Sequence, residues 1–194
     1  MDSPTGIIIL AAGSSSRLGR PKQLLAYRGR NLITHVITEA VRAGVEPIVV
    51  VTGAFAQEVR AALPDKGIEI VFNPLWETGM ASGLAAGLAR ILMLRPDIKA
   101  VIVAVCDQPY ISAALLRQLV DKRQATGKGI IASGYADTSG TPVLFSQRYF
   151  EALAVLTGNE GAKKLLRQHQ DEVYTVPFPK GEIDIDTEED YRRL

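Results

Sequence analysis

Apolar and polar positions divide the first half of the chain into alternating strand-like and helix-like segments. Uninterrupted apolar runs, such as the one that begins at Ile7, are typical of strands covered on both faces of a sheet. Between these runs, apolar residues recur at the spacing of amphipathic helices. The predicted strands cover residues 7–12, 47–51, 68–72 and 100–105, and the predicted helices cover 32–42, 57–63, 80–94 and 112–123. We expect Gly44 to end the first helix, Ser112 to cap the fourth and Glu69 to mark an edge strand.

This rhythm changes in the second half of the chain. Short strands are predicted at residues 129–133, 142–145 and 172–176, with the turn-rich stretch YADTSG between the first two. Ser146 is expected to cap a helix that runs toward Leu156, and Asn159 is expected to start another. Thr187 is expected to cap a last helix that runs through Tyr191.

The order of these elements predicts an α/β fold. Regular strand–helix alternation followed by mixed elements favours a three-layer α/β/α sandwich around a mostly parallel, Rossmann-like sheet with one reversed strand. Because no linker-like or low-complexity stretch divides the chain, residues 1–194 are expected to form one domain.

Composition narrows the class of function. With 194 residues, 47% hydrophobic and 22% charged, the chain has an ordinary globular composition, and its net charge of +1 gives no reason to expect nucleic-acid binding. The single cysteine, Cys106, excludes an internal disulfide and is typical of a reducing compartment. The first residues lack the regions of a signal peptide, and no apolar run reaches the ~20 residues of a membrane span. We therefore expect a cytoplasmic protein that makes no membrane contact.

The polar loop after the first predicted strand is the first candidate site. It begins at Gly13, continues through Ser14 and carries Arg17, Arg20 and Lys22. Small residues let backbone N–H groups approach a phosphate, and the basic side chains add positive charge. The loop therefore suggests a site for a nucleotide triphosphate, although it contains neither G-x-G-x-x-G nor a Walker A motif. The alternative is a solvated turn whose basic residues are only surface charges.

Acidic residues form the second candidate site. Asp107 directly follows the most apolar predicted strand, at the sheet edge where the first loop lies. A carboxylate opposite a triphosphate is a suitable Mg²⁺ ligand, although Asp107 can instead cap the turn before Pro109. Asp184 and Asp186 alternate with Ile185, so both project to the same side of an extended segment, where one can supply a second carboxylate.

A tryptophan-containing loop and two histidines complete the candidates. The segment that contains Trp76, Gly79 and Ser82 enters a helix through small residues, which would let a flat base approach the backbone. The alternative is that Trp76 fills the edge of the core and Ser82 caps the helix. His35 and His169 have no pattern of nucleophile and acid around them that suggests a catalytic triad.

Six segments occur in an order that resembles a known family. They are LAAGSSSRLGRPKQLL, NPLWETGMASGL, CDQPYI, SGTPVLF, GNEGAKKLL and DIDTEEDY. From Ile7 to Tyr191 they resemble the molybdenum cofactor cytidylyltransferases, one branch of the enzymes that join a nucleotide to molybdopterin. The opening Leu-Ala-Ala-Gly differs from the Leu-Ala-Gly-Gly that is usual in the guanylyl-transferring branch. The chain departs from the family at Cys106, where glycine is common; we expect this cysteine to pack rather than to act as a nucleophile.

The resemblance implies a fold like that of the nucleotide-diphospho-sugar transferases and a role for residues in each block. Lys22, Arg17 and Asp107 would be catalytic, and Asp107 and Asp186 would bind Mg²⁺. Residues 140–142 would border the acceptor. The implied nucleotide-binding residues are Leu10, Ala11, Ala12, Gly13, Ser14, Arg17, Lys22, Gly79 and Ser82, the last two near the base.

The implied reaction transfers CMP from CTP to the terminal phosphate of molybdopterin and releases pyrophosphate. Because a phosphate nucleophile is already anionic, positioning and charge neutralisation are sufficient without a strong general base. Two alternatives remain: a guanylyltransferase or a sugar- or other small-molecule-phosphate nucleotidyltransferase of the same fold, and a non-catalytic nucleotide-binding protein that helps molybdoenzymes mature. A molybdoenzyme or its chaperone is therefore an expected protein partner.

Overall fold

The computed structural model describes residues 4–64, 66–159 and 161–194. Its strands are β1 (Thr5–Ala11), β2 (Ala26–Tyr27), β3 (Arg30–Asn31), β4 (Ile48–Thr52), β5 (Glu69–Phe72), β6 (Ala100–Val105), β7 (Ile130–Tyr135), β8 (Thr138–Ser146) and β9 (Val173–Pro177). Its α-helices are α1 (Leu32–Ala43), α2 (Ala56–Ala61), α3 (Met80–Leu94), α4 (Ala113–Thr126), α5 (Phe150–Ala154), α6 (Ala162–Gln168) and α7 (Glu188–Arg192). Short 3₁₀ turns occupy Lys22–Leu24, Trp76–Thr78, Gln147–Tyr149 and Gln170–Glu172.

Within the described part of the chain, the central sheet has seven strands in the order β5-β4-β1-β6-β8-β7-β9. Strands β1, β4, β5 and β6 run parallel, whereas β8 is antiparallel to its neighbours β6 and β7. Strand β9 pairs with β7 in parallel. The predicted mostly parallel sheet with one reversed strand is therefore confirmed. Strand β5 is the edge strand that Glu69 indicated, and the carboxylate of Glu69 accepts a hydrogen bond from Arg90 of α3 at 2.6 Å.

Two hydrophobic cores lie on opposite faces of the sheet, because successive side chains of a strand point to opposite sides. On β1, Ile7 and Ile9 face one core with residues of α1, α2 and α4, while Ile8 and Leu10 face the other with residues of α3, α5 and α6. Every residue of β1 is buried, as its apolar run predicts. This arrangement confirms the three-layer α/β/α sandwich.

The helix caps follow the sequence signals. Helix α1 ends at Gly44, which takes the left-handed conformation at φ 72°. The side chain of Ser112 accepts a hydrogen bond from the backbone N–H of Leu115 and so caps α4. Thr187 and Asp190 form a reciprocal capping box at the start of α7. Among the described residues, no helix combines the length and the apolar character that crossing a membrane requires.

The helices of the second half begin later than the sequence predicts. The prediction that Ser146 caps a helix is wrong, because its hydroxyl makes no capping hydrogen bond; Ser146 is the last residue of β8, where its N–H donates to the carbonyl of Gly129. A 3₁₀ turn follows, and α5 begins only at Phe150. The prediction that Asn159 starts a helix is also wrong: α6 begins at Ala162, and its N-cap is Gly161 at φ 51°.

Two hairpins were not predicted in their observed form. Most of the stretch YADTSG is strand, because β7 and β8 pair up to a tight turn at Ala136 and Asp137, both of which have positive φ. The small hairpin of β2 and β3 lies apart from the main sheet. Its Tyr27 packs with Ile185 in a third hydrophobic cluster beneath the loop that follows β1. This cluster joins the C-terminal segment to the first candidate site.

Candidate active site

A cavity of about 400 Å³ opens where β1 and β6 reach their carboxyl ends. The walls of this first cavity are formed by the loop after β1, the turn after β6 and the entry to α3. The predicted nucleotide-binding residues that line it are Leu10, Ala11, Ala12, Gly13, Ser14, Lys22 and Gly79, and Asp107 also lines it. The structure therefore brings most of the residues implied by the resemblance to one cavity.

Gln23 holds the loop after β1 in place, and sequence reasoning missed it. Its side chain is fully buried, and its amide nitrogen donates to the carbonyl oxygens of Ala11 at 2.9 Å and Gly13 at 3.0 Å. The backbone N–H of Lys22 donates to the Ser15 hydroxyl at 3.1 Å, which ties the far end of the loop to its middle. The available signal was a glutamine directly before the two leucines of the Gln-Leu-Leu segment.

The wall opposite this loop depends on Gly53. A Cβ atom at Gly53 would lie 2.6 Å from the carbonyl oxygen of Ala12 and 2.7 Å from Cβ of Trp76. Glycine thus lets Trp76 pack close to the loop after β1, at the edge of the first cavity. Asn73 fixes the next turn, since its amide nitrogen donates to the Ser82 hydroxyl at 2.9 Å.

Ser82 supports the entry to α3 from within. Its hydroxyl lies 2.9 Å from the carbonyl oxygens of both Leu75 and Gly79, so it neither caps the helix nor takes part in the lining of the cavity. Gly79 has φ 114°, and a Cβ there would lie 2.5 Å from the Asn159 side chain. The role of Ser82 near a base stays a prediction, and the geometry places it behind Gly79.

A cluster of opposite charges lies at the floor of the first cavity. The ammonium of Lys22 donates to Asp107 Oδ2 at 2.5 Å and to Asp186 Oδ1 at 2.8 Å. The guanidinium of Arg17 pairs with the other oxygen of Asp186 but remains largely exposed. The Lys22 ammonium thus brings together residues that are distant in the chain. Asp107 lies 85 positions after Lys22, and Asp186 lies 79 positions after Asp107.

These charges shift one another's pKa values. Burial alone would lower the pKa of Lys22, but Asp107 and Asp186 outweigh it and hold that pKa above its ordinary range. Burial alone would raise the pKa of Asp186, but Lys22 and Arg17 hold it below the ordinary range. Burial raises the pKa of Asp184, and the charges of Asp107 and Asp186 raise it further. Lys22 therefore pairs with both Asp107 and Asp186, and Arg17 pairs with Asp186, whereas the nearby carboxyl of Asp184 is influenced by both of these carboxylates.

The donor set fits a divalent cation. Asp107 Oδ1 is buried without a hydrogen-bond partner, and carboxylate oxygens are the ligands that hard cations prefer. Among residues 4–64, 66–159 and 161–194, no three acidic, histidine or cysteine side chains converge as a complete metal site. Magnesium commonly takes only one or two carboxylates and fills its sphere with phosphate oxygens and water. Asp107 and Asp186 fit that pattern.

Residues 178–187, here called the C-terminal strap, bring Asp184 and Asp186 to the sheet edge. The backbone N–H of Ile185 donates to the Asp107 carbonyl at 3.1 Å, and the Ile185 side chain is fully buried. The buried side chain of Gln108 donates to the carbonyl of Gly181 at 2.7 Å. The turn after β6 therefore anchors the strap through both Asp107 and Gln108.

A second cavity, of about 420 Å³, lies on the other side of Asp107. The two cavities share the residues Met80, Val105, Asp107 and Asn159. Gly140 and Thr141, two of the three residues implied to border the acceptor, line the second cavity. Pro142 lies behind them, buried, with its carbonyl accepting from the Ser133 hydroxyl at 2.6 Å.

The remaining candidates, His35, His169 and Cys106, have surroundings that explain them by packing. Nε2 of His35 donates to the carbonyl of Ile111 at 3.1 Å, inside the helix layer. His169 lies edge-on to the ring of Tyr149. Cys106 is buried, and burial, followed by the charge of Asp107, raises the pKa of its thiol, which disfavours the thiolate form. These positions fit packing roles.

The sheet order, with two cavities at the carboxyl edge of the parallel strands, defines an α/β protein whose candidate ligand site lies at that edge. Residues 7–173 match the model of the MobA-like NTP transferase domain. The chain belongs to that family, and it is a nucleotidyltransferase.

Relatives and solved structures agree with this family over nearly the whole chain. Nicotine blue oxidoreductase of Paenarthrobacter nicotinovorans is 32% identical, over 96% of this chain and 94% of the relative. The crystal structure of Rv0371c from Mycobacterium tuberculosis is 34% identical, with a TM-score of 0.83 over 98% of this chain and 97% of that one. A complex of Rv0371c with manganese is 31% identical at a TM-score of 0.82 and the same coverage. The bifunctional protein GlmU of Francisella tularensis is 28% identical. The match covers 84% of this chain but only 34% of that relative.

Proposed function

We propose that this nucleotidyltransferase transfers CMP from CTP to the terminal phosphate of molybdopterin, with Mg²⁺ as its divalent cation. The observation that carries the proposal is the position of Asp107, which lines both cavities and shares the Lys22 ammonium with Asp186. In the transfer of a nucleotidyl group, the phosphates of both substrates must meet at one place, where fixed charges stabilise the transition state. The Leu-Ala-Ala-Gly opening supports the choice of cytidine, and the order of the six sequence segments supports a molybdopterin-type acceptor.

In this proposal the first cavity holds the triphosphate against the loop after β1. An oxygen of the acceptor's terminal phosphate attacks the α-phosphorus of CTP, a new P–O bond forms, and the bond to the β-phosphate oxygen breaks. Pyrophosphate leaves with the electron pair of that bond. Lys22 and Arg17 neutralise the phosphate charge that develops, and the loop orients the triphosphate for in-line attack. No general base is required, because the attacking phosphate is already anionic.

The divalent cation would be held by Asp107 and Asp186. In this structure one oxygen of each carboxylate accepts a hydrogen bond from the Lys22 ammonium. Such an ion supplies charge neutralisation on the phosphates and fixes their orientation. The manganese complex of Rv0371c supports the choice of a divalent ion, and the identity of that ion here is part of the proposal.

The decisive experiment measures pyrophosphate release with CTP, GTP, UTP or ATP, in the presence of Mg²⁺ and molybdopterin. We expect release with CTP to exceed that with each other nucleotide by at least about tenfold. Release with GTP alone, or only with a sugar phosphate as acceptor, would favour the alternative transferases. CTP binding without release with any acceptor would favour an accessory protein.

One relative is named an oxidoreductase, so the same reactions should be run with NADH and NADPH. We expect no consumption of either dinucleotide, since the loop after β1 lacks the G-x-G-x-x-G pattern. Consumption of NADPH without pyrophosphate release would replace the proposed transfer with a redox activity.

A further inference from the structure

The ammonium of Lys22 occupies the place between two carboxylates that a divalent cation would take. It lies 2.5 Å from Asp107 Oδ2 and 2.8 Å from Asp186 Oδ1, so both oxygens point toward the same centre. The Lys22 side chain is only 15% exposed, and the two carboxylates are 17% and 27% exposed. Without a cation, two carboxylates this close together in a partly buried site would repel each other.

The backbone around Lys22 is fixed, whereas its ammonium is carried on a flexible stem. The N–H of Lys22 is bound by the Ser15 hydroxyl, and the next residue, Gln23, is anchored to Ala11 and Gly13. Lysine carries a compact charge on four methylene groups, so the ammonium can change partners while the backbone stays in place. Lys22 and Asp107 both line the first cavity, so a ligand there meets the ammonium directly.

We propose that Lys22 is an internal counter-ion that sets the order in which nucleotide and divalent cation bind. In the nucleotide-free protein, Lys22 neutralises Asp107 and Asp186 and competes with the divalent ion for them. When a triphosphate enters the first cavity, Lys22 turns to its phosphates, and the two carboxylates become available. The metal therefore binds weakly alone and tightly with the nucleotide. This inference rests on the proposed function, since that function makes Asp107 and Asp186 the metal ligands.

The test measures Mn²⁺ binding to the nucleotide-free protein by electron paramagnetic resonance, which detects free Mn²⁺ directly. We expect Lys22→Met, which keeps the length of the stem and removes the charge, to bind Mn²⁺ about tenfold more tightly than the natural protein. Lys99→Met is the matched control, because Lys99 is exposed at the opposite edge of the sheet, just before β6. Equal or weaker Mn²⁺ binding by Lys22→Met would overturn the inference.

The same variant should bind CTP more weakly in the presence of EDTA, because it lacks the ammonium that turns to the phosphates. CTP affinity equal to that of the natural protein would also overturn the inference. If Lys22→Met does not fold, judged by circular dichroism, Lys22→Gln gives a second neutral side chain for the same measurements.

A carboxylate variant separates failure of this inference from failure of the proposed function. Asp107→Asn in the Lys22→Met background should lose the gained Mn²⁺ affinity. If Asp107→Asn leaves the Mn²⁺ affinity of the Lys22→Met variant unchanged, the assignment of Asp107 as a metal ligand fails, and the inference fails with it. If Asp107→Asn weakens binding but Lys22→Met does not strengthen it, only the role given to Lys22 fails.

Discussion

The two cavities that meet at Asp107 are built in different ways. The first cavity uses short loops that directly follow parallel strands, and its shape depends on backbone contacts such as those of Gln23 and Gly53. The second cavity lies beside the reversed strand β8 and uses residues from β7, β8, α6 and the C-terminal strap. The shape of the first cavity therefore depends mainly on short loops, whereas the shape of the second depends on contacts between segments that are far apart in the sequence.

Side chains, rather than backbone, form much of the wall of the second cavity. The Thr141 hydroxyl donates to the side-chain oxygen of Gln108 at 3.1 Å, and a Cβ at Gly140 would lie 2.3 Å from the Tyr135 hydroxyl. Among the residues that the structure describes, the carboxylates of Asp107, Glu182 and Asp184 line this cavity together with one lysine, Lys163. The chemistry of the second cavity therefore depends on a few side chains.

The largest effect is expected where the two cavities join. Asp107→Asn should lower kcat by at least about 10²–10³-fold, because it removes a carboxylate charge from the reaction centre while keeping the side-chain shape. The measurement is Mg²⁺-dependent pyrophosphate release, with folding checked by circular dichroism. Asp121→Asn, on the exposed face of α4, is the matched control and should keep full activity. Near-natural activity of Asp107→Asn would end the role proposed for this residue.

Two glycine substitutions should affect the cavities separately. Gly53→Ala should weaken CTP binding by about tenfold, because the new methyl group would overlap Ala12 and Trp76. Gly140→Ala should displace Tyr135 and raise the KM for the acceptor by a similar factor, with CTP affinity changed less than about twofold. Calorimetry with CTP and initial rates against the acceptor measure the two effects. A loss of CTP affinity in Gly140→Ala would show that the cavities are not independent.

The same difference explains what could be predicted from the sequence. The strands and helices of the first half follow local apolar patterns, so their positions and the loop after β1 were predicted from the residues alone. The convergence of Asp107 and Asp186 followed from the parallel sheet and the resemblance. In the second half, Ser146 is of a residue type that favours helix N-caps, yet its backbone hydrogen bond to Gly129 keeps it in β8. Such a partner, 17 positions away, leaves no local signal.

The residues that sequence reasoning missed have the same cause. Gln23 and Gln108 are buried amides whose function is to hold backbone carbonyls of other segments. The hairpin of β2 and β3 is only two residues long on each side, and it is stabilised by the packing of Tyr27 with Ile185 of the C-terminal strap. A short element that depends on a distant segment for its packing cannot be found from periodicity.

The smallest expected effect concerns the support of the first cavity rather than its lining. His35 of α1 donates to the Ile111 carbonyl in the segment after β6 and packs edge-on against Tyr27. Burial lowers the pKa of His35, and this outweighs the opposing influence of the Ile111 carbonyl and Glu39; Arg28 and Arg30 lower it further. The unfolded chain therefore binds more protons than the folded chain below the ordinary histidine pKa of about 6.5.

Stability should accordingly fall as the pH decreases through and below about 6.5, because His35 then takes up a proton in the unfolded chain before it does so in the folded one. Urea unfolding of the natural protein and of His35→Gln at pH 7.5 and 5.5 measures the contribution of His35. The free energy of unfolding should decrease less with acid in His35→Gln, because glutamine keeps an N–H donor near Ile111 but does not bind a proton. His169→Gln is the comparison variant in the second half of the chain, where the half-buried His169 lies edge-on to the ring of Tyr149. An equal acid dependence in the natural protein and His35→Gln would place the sensitive group elsewhere and remove His35 from the pH response of the first half.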